Sequence, residues 1–61
     1  MKQRIVILGG GESGVGAAIL ARHQGYEVFL SDHGAIAFEK KEALQHHKIS
    51  FEENGHSPER I

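Results

Sequence analysis

Apolar positions in this chain come in short blocks, and each block has its own period. Ile5-Val6-Ile7-Leu8 is a continuous apolar run between Arg4 and Gly9. A run of that kind predicts a parallel strand, Arg4 to Leu8, buried on both faces at the centre of a sheet. From Ser13 to Gln24 the period changes to that of a helix. Val15, Ala18, Ile19 and Arg22 share one face, and Ala17, Leu20 and Ala21 widen its apolar side. Gly25 is placed to end that helix in the left-handed conformation. Tyr26 to Ser31, centred on Val28, Phe29 and Leu30, reads as a second strand. Asp32-His33-Gly34 reads as a turn. A second helix is expected from Ala37 to His47, with Ala43 and Leu44 facing the sheet together with Ile36 or Lys40. A short strand, Ile49 to Glu52, follows it. Asn54-Gly55 is then a turn, and Ser57-Pro58-Glu59 has the chemistry of a helix start: a capping hydroxyl, a proline and a first-turn acid.

The alternation of strand and helix predicts an α/β fold, a Rossmann-like βαβαβ unit with a three-stranded parallel sheet. The chain has 61 residues and no cysteine, so no disulfide or thiolate–metal staple can support it. A domain this small buries only about 60% of the surface its unfolded chain exposes. A parallel sheet normally carries helices on both faces, and only two helices are predicted, so one face or edge is expected to lie bare. The expectation is therefore a truncated domain, residues 1–61 being part of a larger one, with self-association through the exposed sheet surface as a way to cover it.

The strongest chemical signal lies between the first strand and the first helix, in Gly9-Gly10-Gly11-Glu12-Ser13-Gly14. Strand, glycine turn and helix start occur in the order of a phosphate-binding loop. Gly9 permits the tight turn. A side chain at Gly11 would occupy the place of a phosphate, and Gly14 allows close helix–strand packing. The first N–H groups of the helix have no partners within it and can receive an anion, with the Ser13 hydroxyl beside them. The side chain of Glu12 is an acid in a helix first turn, which the helix dipole favours, and its backbone N–H remains available. Asp32 lies 18 residues beyond Gly14, at the carboxyl end of the second strand. Its carboxylate can accept from a ribose diol or a base N–H, or can cap the turn that follows it. His33 stands next to it at the same rim.

Other chemistry finds less support. The net charge of −1 gives no electrostatic case for nucleic acid or a membrane surface. The apolar run after Met1-Lys2-Gln3-Arg4 is too short for a signal peptide or a membrane span. Of the five histidines, His46 and His47 are adjacent and diverge on a helix, and His23, His33 and His56 have no partner at helical spacing, so no metal site is expected. No nucleophile–base pair and no GxxxxGK[ST] loop is present. By itself the sequence describes a part that holds phosphates without transferring them. Gly9, Gly11, Gly14, Ala18 and Asp32 also satisfy the dinucleotide fingerprint. An NAD(P)-binding fragment of an oxidoreductase is thus the alternative, and a stand-alone nucleotide-sensing module a third reading.

Beyond the glycines, the run from Ile5 to Ala18, the segment Val28-Phe29-Leu30-Ser31-Asp32 and Gly55-His56-Ser57 resemble the amino terminus of a bacterial Mur ligase. The most specific part is Gly11-Glu12-Ser13-Gly14-Val15-Gly16. The resemblance implies a Rossmann-like first domain that holds the UDP part of UDP-N-acetylmuramoyl-L-alanine. It implies an ATP- and magnesium-binding domain elsewhere, addition of D-glutamate through an acyl phosphate, and a cytoplasmic enzyme of peptidoglycan synthesis. On that basis Gly11, Glu12, Ser13 and Gly14 would meet the diphosphate, chiefly through N–H groups and the Ser13 hydroxyl. Asp32 would contact the uracil ring, with His33 and Gly34 lining the base site. Family members carry threonine or serine at the Ser13 position, whereas Glu12 stands where some have an apolar residue. No catalytic or metal residue is implied within these 61 residues, and alone they are expected to be inactive and to bind UDP-sugar weakly or not at all.

Overall fold

The computed structural model describes residues 3–61. Met1 and Lys2, the head of the segment read as too short for a signal peptide, lie outside the described residues. Five elements follow one another: β1 (Arg4–Leu8), α1 (Glu12–His23), β2 (Glu27–Ser31), α2 (Phe38–His46) and β3 (Ser50–Glu52). All strand pairs are parallel, in the order β1-β2-β3. This is the α/β, three-stranded Rossmann-like unit that the sequence predicts, and each boundary falls within one residue of expectation.

The register sorts side chains between the two faces of the sheet. Ile5 pairs with Val28, and Ile7 with Leu30, which in turn pairs with Phe51. These residues share a face, and both helices pack on it. Val15, Ala18 and Ala21 from α1, Leu44 from α2, and Ile36 and Ile49 beside it complete one buried cluster with Val28 and Leu30. The molecule measures 16 Å along its shortest axis, the thickness of a sheet with a single layer of helices. Leu20, counted above on the apolar side of α1, is instead 60% exposed, because the face turned to the sheet is the narrower stripe of Val15, Ala18 and Ala21.

The reading of β1 as a central strand buried on both faces needs correction. β2 holds the centre, and its last four residues are buried. β1 pairs on one side only among the described residues; its middle three residues are half-buried and Leu8 is 65% exposed. Both crossovers run in the same direction across the sheet, which leaves β1 at the rim.

The second face is not bare throughout. Residues 53–61 fold back beneath it. The guanidinium of Arg60 stacks over the Phe29 ring at 4.4 Å from its centroid, and that of Arg4 lies at 5.5 Å. Arg4 also donates to the Arg60 carbonyl. The helix expected from Ser57 amounts to one turn, with the Arg60 and Ile61 N–H groups donating to the Ser57 carbonyl.

Both helices end in a left-handed residue. After α1 this is Gly25 (φ +94°), as expected. After α2 it is Lys48 (φ +59°), a conformation that costs a residue with a Cβ about 1 kcal/mol or more.

Candidate functional site

The glycine loop lies across the carboxyl ends of β1 and β2, and the sheet itself anchors it. The Gly9 N–H donates to the Ser31 carbonyl at 2.7 Å, which extends the β1–β2 ladder one residue into the loop. Gly9 has φ +107°, so glycine is required for the turn. The Gly10 N–H donates to Asp32 Oδ2 at 2.6 Å. A Cβ on Gly14 would overlap the Gly9 carbonyl oxygen, so the close approach of α1 to the loop depends on the missing side chain. A Cβ on Gly11 would meet nothing within 4 Å. The space before Gly11 is therefore open on the outer side of the loop.

Beyond Gly10 the backbone donors change character. Among the described residues, the N–H groups of Gly11, Glu12, Ser13 and Gly14 have no hydrogen-bond partner. Gly11 is the N-cap of α1 and supplies no side-chain cap, so the first-turn N–H groups are left open; the exposed Glu12 is the acid in that turn. Glu12 and Ser13 are exposed, with neither side chain in a hydrogen bond. Four consecutive donors at a helix N-terminus, beside a loop position without a side chain, form a cradle for an anion.

Asp32 is placed at the strand end, but its carboxylate is already engaged. Oδ2 accepts from Gly10 and Oδ1 accepts from the Gly34 N–H at 2.9 Å. The bond from Gly34, then that from Gly10, hold its pKa below the usual carboxylate value, with smaller contributions from His33 and His56. Of the roles open to it in the sequence, turn capping is present in the structure, together with a clamp on the glycine loop that sequence reasoning did not foresee. Each oxygen keeps one further acceptor position toward a ligand. His33 lies at the outer rim, its side chain 87% exposed and its Nδ1 3.8 Å from Asp32 Oδ1.

A further group closes the site from below. Loop 53–57 is bound to the end of β2: Asn54 N–H donates to the Gly34 carbonyl and Gly55 N–H to the Asp32 carbonyl. Ser31, fully buried, has its Oγ 2.7 Å from Glu52 Oε2 and 2.5 Å from His56 Nδ1. Glu52 also accepts the Ser57 N–H, at 2.8 Å. That bond, followed by those from the Ser31 and Ser57 hydroxyls and by the charge of Arg60, lowers the Glu52 pKa from 4.5 to about 2. Glu53 accepts from the Ile36 N–H and from Lys41 Nζ, both at 2.9 Å, and its pKa is lowered by the same two contacts. His56 thus joins Asp32, His33 and Gly34 at one corner. The signal for it in the sequence was Ser31, a polar residue at a buried strand position that requires partners.

Elsewhere the structure brings His23 to 5.4 Å from His47, ring centre to ring centre, and His47 to 5.1 Å from His46. The helical spacing rule had left His23 without a neighbour. Among the described residues no group of three or more metal-ligating side chains is arranged to hold a metal ion. No helix among them is long and apolar enough to cross a membrane. Two shallow cavities of about 300 and 350 Å³ open at the opposite end of the sheet, around Arg4, Glu27 and Ser50, and neither includes the glycine loop.

A parallel α/β unit with an open glycine turn at its strand ends is a Rossmann-like fold. Residues 4–61 match the family described as the MurD N-terminal domain, and the chain belongs to that family. It is similar to a UDP-N-acetylmuramoylalanine–D-glutamate ligase of Christiangramia forsetii, with 54% identity over 61 residues, which is 100% of this chain and 14% of the relative. The ligases of the same name from Bacteroides thetaiotaomicron and Cytophaga hutchinsonii are 52% and 51% identical. The alignments cover 97% and 100% of this chain, and 13% and 14% of those relatives. The chain thus spans about one seventh of the length of the curated relatives it matches. No solved structure matches it.

Proposed function

We propose that residues 1–61 are the UDP-binding part of the first domain of an ATP-dependent ligase, one that adds D-glutamate to UDP-N-acetylmuramoyl-L-alanine in peptidoglycan synthesis. The observation that carries this reading is the run of four N–H groups from Gly11 to Gly14 that have no partner among the described residues, opening onto space that a side chain at Gly11 would enter. The diphosphate lies on those donors, with the Ser13 hydroxyl as a further one. Glu12 contributes its backbone and turns its carboxylate to solvent. The base lies over the second loop, where Asp32, His33 and Gly34 line the rim. The names of the relatives supply the substrate and the added amino acid.

The role of the 61 residues is positional. Backbone dipoles fixed before binding hold the diphosphate and orient the muramoyl group away from the cradle. ATP and magnesium are assigned to other parts of the enzyme, because no GxxxxGK[ST] loop occurs in this sequence. The fragment alone is catalytically inactive, and the whole enzyme works in the cytoplasm. The dinucleotide alternative has Asp32 grip a ribose diol, for which each oxygen keeps one acceptor position, so it is the names of the relatives, and not Asp32, that favour the UDP reading.

Amide NMR with millimolar UDP-N-acetylmuramoyl-L-alanine, and with NAD in a separate sample, tests the proposal. Shifts at Gly11 to Gly14 and at Asp32 to Gly34 with the UDP-sugar alone are expected. A response to NAD alone would transfer the site to a dehydrogenase.

A further inference from the structure

His56 was given no role in the site as read from the sequence, yet of the two imidazoles at the rim its ring is the one held by a hydrogen bond. Nδ1 is anchored on the fully buried Ser31 Oγ at 2.5 Å, while the ring itself is exposed. The ring centre is 6.2 Å from that of His33, and the neighbouring Gly55 is tied to the Asp32 carbonyl. The imidazole therefore stands beside the base corner, with Nε2 on its outer side.

The hydrogen-bond chain beneath it determines which nitrogen carries the proton. Glu52 Oε2 accepts from the Ser57 N–H and lies 2.7 Å from Ser31 Oγ. An ionised carboxylate has no proton to give, so the single Ser31 hydroxyl proton points to Glu52. Ser31 Oγ then faces His56 with lone pairs only. Nδ1 must donate to it, so of the two neutral tautomers the chain selects Nδ1–H, with Nε2 bare.

We propose that His56 is a ligand-specificity residue, held by Ser31 and Glu52 in the Nδ1–H tautomer so that Nε2 accepts a hydrogen bond from a donor on the uridine, a ribose hydroxyl or the imide N–H. This rests on the UDP reading of the cradle. Asp32 and His56 then both present acceptors at that corner, whereas the backbone of the Gly11–Gly14 cradle presents donors. Donor-seeking and anion-seeking halves of the site are thus separated along the ligand.

The experiment is long-range 1H–15N NMR of the His56 ring in the 61-residue chain, free and with UDP, combined with titrations of His56→Phe and His56→Gln. The expected spectrum of the free chain shows Nδ1 protonated and Nε2 bare. Ser31→Ala should return the ring to the Nε2–H form. UDP should shift Nε2, and His56→Phe should weaken UDP about three- to tenfold, the effect of one neutral hydrogen bond. His56→Gln, which keeps an acceptor near Nε2, should lose less. If the loss on His56→Phe disappears with N3-methyl-UDP, the donor is the imide; if it persists, the donor is a ribose hydroxyl. An Nε2–H tautomer in the free chain overturns the proposal. So do shifts at the Gly11–Gly14 amides with no response from His56, which would leave the UDP reading standing. Silence at both sites removes the two together.

Discussion

The two loops at the carboxyl ends of β1 and β2 have similar positions and opposite electrostatics. In the second, side chains consume the backbone donors: Gly34 gives its N–H to Asp32 and Ile36 gives its own to Glu53. In the first, donation stops at Gly10, and the next four N–H groups have no partner among the described residues. Carboxylates close one loop, and glycines keep the other open. The first loop therefore offers free donors to an anion, and the second presents carboxylate oxygens.

The contrast can be broken most severely through the residue both loops share. Ile36 is buried in the second loop, and its side chain fills the space that a Cβ on Gly10 would need. Ile36→Ala should cost about 2–5 kcal/mol in urea unfolding, a large share of the stability of so small a domain. Gly14→Ala comes next. The Cβ must push the Gly9 carbonyl out of the way, and a loss of about 1–3 kcal/mol is expected despite the better helix propensity of alanine.

Asp32→Asn should lower the thermal midpoint by less, because its contacts are only part-buried. Its amide cannot accept from both Gly10 and Gly34, and a displaced Gly10 amide resonance would mark the opened clamp.

The acid response sharpens the same comparison. Glu52, Asp32 and Glu53 have folded pKa values below their unfolded ones. As pH falls, the unfolded chain takes up these protons first, so stability drops. For Glu52 the loss runs from pH 4.5 down to about 2, and Glu52→Gln should flatten that part of the acid-unfolding curve.

The smallest structural effect belongs to Gly11→Ala. Its Cβ meets nothing and its φ of −74° suits any residue, so stability should stay within about 0.5 kcal/mol of the parent. Binding of UDP-sugar should nevertheless fall, as measured by calorimetry, because that Cβ enters the cradle.

The elements were legible because each has a local signature. Ile5–Leu8 is apolar without interruption, Val15, Ala18 and Ala21 recur at helical spacing, and Gly25 ends α1. The glycine cradle and Asp32 were legible because turn, loop and acid occur at fixed separations. What escaped was set by contacts across the chain. The sequence of β1 suits a central strand, and nothing within it says that no neighbour lies on its outer side among these residues. The engagement of both Asp32 oxygens depends on where Gly10 comes to rest, 22 residues away. The stacking of Arg60 on Phe29 and the Ser31–Glu52–His56 group join polar residues that follow no period.

The bond from Gly9 to the Ser31 carbonyl has an entropic consequence. Because the sheet ladder continues into the loop, the cradle is ordered before a ligand arrives. On the proposed reading, binding then spends little conformational freedom of the chain on shaping the start of the loop, and more of the contact energy remains as affinity. Hydrogen exchange should draw the boundary within two residues, with a slow amide at Gly10 and a fast one at Gly11.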